Sequence, residues 1–217
     1  MLLYMTTTSP YARLARIMVR EKGLSDRVEE DVARTREAGS PYYAVNPSGR
    51  IPYLICDDGT GLEDSAVICR YLDHLAGPPA FEPPHLDPGA IDPAGEPDLA
   101  SEAWVFRRLE AVARSTLDGL AVWGRELRRP QEDRSAILIA HEAERFRRMM
   151  DWWQGEIGHP LLQGPFNRIQ MTLFAALQFE IRDPCFAWRD SRSELAAWSD
   201  RLAPRPSLAA TVPPARI

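Results

Sequence analysis

Lysine is almost absent from this 217-residue chain: Lys22 stands alone, and arginine supplies the rest of the 26 basic side chains. The formal net charge is −5, and no basic stripe interleaves with aromatics, which argues against a nucleic-acid partner. Arginine in place of lysine reflects genomic base composition more simply than function. Cysteine is scarce as well. Cys56, Cys69 and Cys185 are dispersed, form no CxxC pair and support neither a disulfide framework nor a zinc ribbon. Cys56 and Cys69 read as small apolar fillers. The four histidines are scattered, and His141-Glu142-Ala143-Glu144-Arg145 lacks the second histidine of a zinc protease helix. No Gly-rich phosphate loop is present, and Asp57-Asp58-Gly59 reads as a hairpin turn rather than a calcium loop. No apolar run is long enough to span a membrane, and the N-terminus lacks the marks of a signal peptide. The expectation is therefore a protein without membrane partner, metal or nucleic acid, with a cytoplasmic location as the default. Apolar residues make up 45% and charged residues 26%, which suits a folded enzyme with one large or two small domains.

The start of the chain carries the strongest local signal. Leu2-Leu3-Tyr4-Met5 reads as a buried strand. Ser9 then sits where a helix begins, because Ser is a favoured N-cap and Pro10 suits the first helical position. Tyr11, Leu14, Ala15, Met18 and Lys22 fall on one face of that helix, with Lys22 as its wet end. Arg13, Arg16 and Arg20 fall on the other, and Gly23 closes the helix with a left-handed residue. A strand thus delivers a hydroxyl to a helix N-terminus, where amide groups and the macrodipole favour an anion such as a thiolate. A second segment, Asn46-Pro47-Ser48-Gly49-Arg50-Ile51-Pro52, leads into a strand, Tyr53-Leu54-Ile55-Cys56. Pro52 at the strand entrance permits a cis bond and leaves neighbouring backbone free to pair with an extended peptide. After a turn, Asp64 and Ser65 open a helix with Ile68, Tyr71, Leu72 and Leu75 on its apolar face. A carboxylate beside a helix N-terminus suits an amine, and Ser65 with the helix amides suits a carboxylate. An α-amino acid head group carries both charges.

These three marks, in this order and spacing, resemble the thioredoxin-like domain of a glutathione transferase over residues 1–77. The likeness is to bacterial, serine-type members of the cytosolic family (theta-, beta- or omega-like). Residues 99–217 resemble that family's all-helical domain, and Ala203-Pro204-Arg205-Pro206-Ser207 resembles its usual tail. Residues 78–98, rich in Pro, Gly and acidic groups, read as a linker. The fold class expected is α/β plus all-α: a thioredoxin-like domain followed by a helical bundle. In that second part, Leu109, Val112, Ala113, Thr116, Leu117 and Leu120 share a helix face, as do Ile139, Ala143, Phe146, Met150 and Trp153. Pro130 separates those two helices. Residues 168–182 are apolar nearly all round, as a central helix should be. Asn167 is placed to cap it, with Gln170 reaching back as a capping box, where the family usually has Ser or Thr and then Asp. Pro204 to Pro214 reads as an irregular tail.

The resemblance implies the following roles. Ser9 would be the catalytic hydroxyl that stabilises glutathione thiolate, with Thr8, Thr7, Thr6 and Tyr4 as rival hydroxyls. Ile51, followed by Pro52, would pair its backbone with the cysteinyl part of glutathione. Asp64 and Ser65 would hold the γ-glutamyl head, and Arg50 would meet the glycyl carboxylate. Tyr11, Trp104 and Arg108, with Arg107 and Ser115 nearby, would border the electrophile. Ser9 and Ala12 also occupy both positions of the Cys-Pro-Tyr-Cys motif of thioredoxin-like proteins. Exchange through an enzyme cysteine is thereby disfavoured, since serine cannot form the mixed disulfide. The function implied is transfer of glutathione to a small hydrophobic electrophile, of the detoxification type, in a homodimer. The alternatives are another glutathione-dependent enzyme (isomerase, dehalogenase or lyase) or a non-catalytic binding protein on the same fold.

Overall fold

The computed structural model describes residues 1–82 and 99–215; most of the expected linker lies outside them. The chain divides into two compact units, one formed by Met1–Ala80 with Pro204–Ala215 and the other by Phe81–Ala203. The first is thioredoxin-like. Strand β1 (Leu2–Met5) is followed by helix α1 (Pro10–Glu21), strand β2 (Glu29–Val32), short helix α2 (Tyr42–Val45), strands β3 (Tyr53–Ile55) and β4 (Gly61–Glu63) and helix α3 (Ser65–Ala76). The sheet order is β2-β1-β3-β4. β1 and β2 are parallel, so α1 is the crossover that parallel pairing demands. β3 pairs antiparallel with both β1 and β4.

Alternation decides which side of the strands is buried. Leu3 and Leu54 face each other in register and are both 0% exposed. α1 and α3 pack together, burying Ile17, Met18, Ile68 and Leu72. Cys56 and Cys69 are buried fillers, as expected. Gly23, at φ +63°, follows the last turn of α1 as the left-handed residue the sequence indicated.

Lys22 and Arg13 depart from the positions the helix pattern suggests, while Arg16 and Arg20 pair with β2. Lys22 is no wet end. Its side chain is 2% exposed, its Nζ lies 2.9 Å from Asp73 of α3, and it donates to the carbonyls of Gly77 and, at 2.7 Å, Pro79. Three ammonium protons thus meet three acceptors. Arg13 is 3% exposed and lies under the C-terminal tail, donating to Leu208 O (3.2 Å) and Thr211 Oγ1 (3.4 Å). Burial, aided by repulsion from Arg16, brings Arg13 down to about 10, still charged at neutral pH. Arg16 and Arg20 bond Glu30 of β2 at 2.8 and 2.5 Å. Burial alone would raise Glu30, but these hydrogen bonds outweigh it and hold the carboxyl below its usual range. The tail is not irregular throughout: Pro206–Ala209 forms a short helix (α9 below), and Glu21 accepts from Arg205 (2.5 and 2.6 Å) and from Ser207.

The second unit is helical: α4 (Glu102–Glu126), α5 (Ala136–Glu156), α6 (Pro160–Gln163), α7 (Arg168–Leu177) and α8 (Ser193–Leu202). α9 (Pro206–Ala209) follows in the tail. All ten residues of α7 are buried, and it packs on α4, α6 and α8. Asn167 caps it, accepting from Ile169 and Gln170 N–H groups at 2.9 and 3.2 Å. Gln170 does not close a capping box. Its amide donates to the carbonyls of Leu161, Gly164 and Pro165 at 3.0 to 3.3 Å, tying the approach loop to the helix. The buried indoles of Trp153, Trp188 and Trp198 each find an acceptor, at Thr116 Oγ1, Leu177 O and Leu162 O, within 3.0 Å. Among the described residues, no helix is long and apolar enough to cross a membrane.

Replacing Lys22 removes the ammonium beside Asp73, which is 8% exposed. Lys22→Met is expected to lower unfolding free energy in denaturant titration by about 3–5 kcal/mol. Lys22→Met with Asp73→Leu is expected to recover most of that loss, because the buried carboxylate that lost its ammonium is removed as well.

Candidate active site

Three strands bring the candidate residues to one edge of the sheet. Tyr4 of β1 lies opposite Tyr53 of β3, and Tyr53 lies opposite Glu63 of β4. β1 and β4 leave the sheet at this edge, and β3 enters there. The loop to Ser9, the Ile51-Pro52 approach to β3 and the Asp64-Ser65 start of α3 therefore emerge side by side.

Ser9 is the N-cap of α1, with extended backbone (φ −81°, ψ 122°) and Pro10 at the first helical position. Its Oγ accepts from Ala12 N–H at 3.2 Å. A hydroxyl used this way still has its own proton to donate. The first turn of α1 holds no acidic residue, so no carboxylate of the helix itself offsets its positive end. Of the rival hydroxyls, Thr7 and Thr8 are exposed, while the ring of Tyr4 packs against Tyr42 with centroids 5.3 Å apart.

The Asn46–Pro52 segment is held from beneath. Tyr42 Oη donates to Arg50 O at 2.5 Å, and Asn46 Nδ2 donates to the same oxygen at 3.0 Å. Burial raises the Tyr42 phenol above the ordinary tyrosine range against an opposing hydrogen bond from Asn46, so it stays a proton donor at neutral pH. Ser48 Oγ accepts from Arg50 N–H (3.1 Å) and donates to Glu63 (2.7 Å), linking this loop to β4. Gly49 sits at φ +65°, and a Cβ there would lie 2.7 Å from Tyr43 Cε1. The Ile51-Pro52 bond is cis, as the sequence permitted. The Arg50 side chain is exposed. Sequence reasoning gave no role to Tyr42 or Ser48, and took Asn46 only as part of a motif. An Asn two residues before a Ser and four before Arg50 is the Asx-turn signal available in the sequence.

Asp64 caps α3, its Oδ1 accepting from Ala66 N–H at 2.7 Å. It does so at φ 74°, a conformation costly for a residue with a Cβ. Asp64 is exposed, whereas Ser65 is 1% exposed at the first helical position. A strained, solvent-facing carboxylate beside a helix start is suited to a charged ligand group.

Comparison with known proteins bears on this arrangement. Residues 8–75 match the family model described as the glutathione S-transferase N-terminal domain. Over 209 residues the chain is 26% identical to the uncharacterized GST-like protein YibF of Escherichia coli K12, covering 95% of this chain and 96% of that one. A glutathione transferase family member from Pseudomonas fluorescens Pf-5, solved with S-(propanoic acid)-glutathione bound, superposes with a TM-score of 0.80 at 28% identity over 99% of this chain and 100% of that one. A glutathione S-transferase from Methylobacillus flagellatus, solved with glutathione, gives 0.80 at 27% identity, over 98% and 99%. Residues 8–75 thus form a glutathione S-transferase N-terminal domain, and the whole chain is similar to members of the glutathione transferase family.

The matched segment contains Ser9, Tyr11, Arg50, Ile51, Pro52, Asp64 and Ser65. Trp104 and Arg108 lie on α4 in the other unit, the first half-buried and the second exposed. Arg107 and Ser115, named with them, are engaged within the helical unit. Arg107 pairs with Glu82 and Glu110, and Ser115 Oγ accepts from Arg145 at 2.7 Å. Among the described residues, no group of His, Cys, Asp and Glu is arranged to hold a metal ion.

The strain at Asp64 is testable apart from any ligand. Asp64→Ala keeps the unfavourable φ and loses the cap, and is expected to cost about 1 kcal/mol in thermal unfolding. Asp64→Gly relieves the strain while losing the cap and is expected to be near neutral.

Proposed function

We propose that this chain is a serine-type glutathione transferase in which Ser9 stabilises the glutathione thiolate. The observation that carries this is the Ser9 hydroxyl at the open N-terminus of α1, accepting from Ala12 N–H and so retaining a proton to donate. A free thiol has a pKa of about 8.5, and only a few per cent is thiolate at neutral pH. A hydrogen bond from Ser9 and the positive end of α1 both favour the anion. A shift of two units corresponds to about 2.7 kcal/mol. One charge-assisted bond and a dipole contribution are together of that order.

The rest of the ligand is assigned as follows. The Ile51 backbone, before Pro52, pairs with the cysteinyl unit. Asp64 takes the γ-glutamyl amine, Ser65 and the start of α3 take its carboxylate, and the exposed Arg50 meets the glycyl carboxylate. The family relatives solved with glutathione or its conjugate support glutathione as co-substrate. The acceptor is a small hydrophobic electrophile, and the active form is a homodimer. In the reaction the thiolate attacks the electrophilic carbon, a carbon–sulfur bond forms, and the leaving group departs with the electron pair.

The deciding experiment is calorimetric titration with reduced glutathione in buffers of different ionisation enthalpy. Wild type is expected to bind and release a proton at neutral pH. Ser9→Ala is expected to bind with the bound thiol pKa raised by one to two units, on the order of 1.4 kcal/mol each, and with proton release lost. Unchanged proton release would move the role to another hydroxyl. Absence of binding by wild type would end the glutathione reading.

A further inference from the structure

Asn46 lies directly behind the peptide group that the proposed function asks to recognise glutathione. It is 2% exposed and engages the loop at both ends. Its Oδ1 accepts from Ser48 N–H at 3.1 Å, and its Nδ2 donates to Arg50 O at 3.0 Å. Its own backbone caps α2 through Tyr42 O at 2.9 Å, and its carbonyl accepts from Gly49 N–H at 2.9 Å. Tyr42 Oη, 4% exposed as a residue, adds the second bond to Arg50 O at 2.5 Å and lies 3.5 Å from Asn46 Nδ2.

Arg50 O and Ile51 N–H belong to one planar peptide. In a trans peptide the two point in opposite directions. Fixing the oxygen from below therefore aims the Ile51 N–H away from the protein interior. Two donors on one carbonyl also polarise the peptide and strengthen the N–H as a donor. Ser48 passes the same constraint to Glu63, the residue before Asp64. The loop thus sets the spacing between the Ile51 backbone and the head-group residues.

We infer that Asn46 and Tyr42 are positioning residues for glutathione, acting through Arg50 O on the Ile51 backbone and not on the sulfur. This rests on the glutathione reading given above. It separates two jobs: anchoring the tripeptide backbone, done by this buried pair, and lowering the thiol pKa, done at Ser9.

The test uses the full chain with Asn46→Asp and Tyr42→Phe. Asn46→Asp keeps the acceptor for Ser48 N–H and removes the donor to Arg50 O. Tyr42→Phe removes one hydroxyl and keeps the ring against Tyr4. Dissociation constants are measured for glutathione and for S-methylglutathione, which has no thiol proton, together with the pKa of the bound thiol by thiolate absorbance. Both variants are expected to weaken both ligands by a common factor of about fivefold or more. Binding stoichiometry and the bound thiol pKa should match wild type. Unchanged affinities overturn the inference, as does an affinity loss confined to glutathione and accompanied by a shifted thiol pKa. If Asn46→Asp fails to fold, Tyr42→Phe decides on the same readings. Wild type that binds neither ligand overturns the glutathione reading, and this role with it. That result is distinct from variants that bind as wild type does.

Discussion

Tyr4, Tyr53 and Glu63 lie abreast across three strands, and the candidate site depends on that register. The constraint is enforced one residue further in. Leu3 faces Leu54, which faces Leu62, and both Leu3 and Leu54 are completely buried. A slip of one residue would turn these leucines to the other side of the sheet. The core thus fixes where each strand ends. The ends in turn fix where Ser9, Ile51 and Asp64 emerge. Site geometry is in this sense a by-product of packing, and the residues that carry the chemistry are free to be polar or strained.

Positive-φ backbone is found where the ligand groups are assigned, strained at Asp64 and permitted by glycine at Gly49. Asp64 holds φ 74° while capping α3, and Gly49 holds φ +65° where a side chain would strike Tyr43. The two are connected, since Ser48 bonds Glu63 immediately before Asp64. Loop 46–50 and the β4–α3 junction therefore behave as one hydrogen-bonded assembly rather than two independent turns. A carbonyl with two donors, at Arg50, is its fixed point.

What was legible in the sequence was local. The Ser9-Pro10 helix start, the entry at Pro52, the Asp64 cap and the nearly all-round apolar character of α7 follow from neighbouring residues and their periodicity. What was illegible depended on partners far along the chain. Lys22 looked like the wet end of a helix because Asp73 and the carbonyls of Gly77 and Pro79 belong to the end of α3 and the residues after it. Arg13 could only be grouped with Arg16 and Arg20 on one face, because nothing in α1 announces the tail that covers it. Gln170 had the spacing of a capping box, yet three carbonyls of the preceding loop compete for its one amide group. Asn46 was visible as a motif letter, but its work requires knowing that Tyr42 and Arg50 O come together.

The covered Arg13 explains how α1 can tolerate an unneutralised N-terminus. The helix carries the proposed thiolate site at one end, and its other contacts must hold it in place without help from that end. Arg13 fastens its first half to Leu208 and Thr211, Arg16 and Arg20 fasten its polar side to Glu30, and Glu21 fastens its last turn to Arg205 and Ser207. Lys22 closes the series on α3. Each of these side chains is held by partners other than Ser9. None neutralises the amides that an anion would use, and none competes with it as a nearby carboxylate. The single lysine and several of the arginines are thereby accounted for as anchors of one helix, and the positive end of that helix remains available to a negatively charged sulfur.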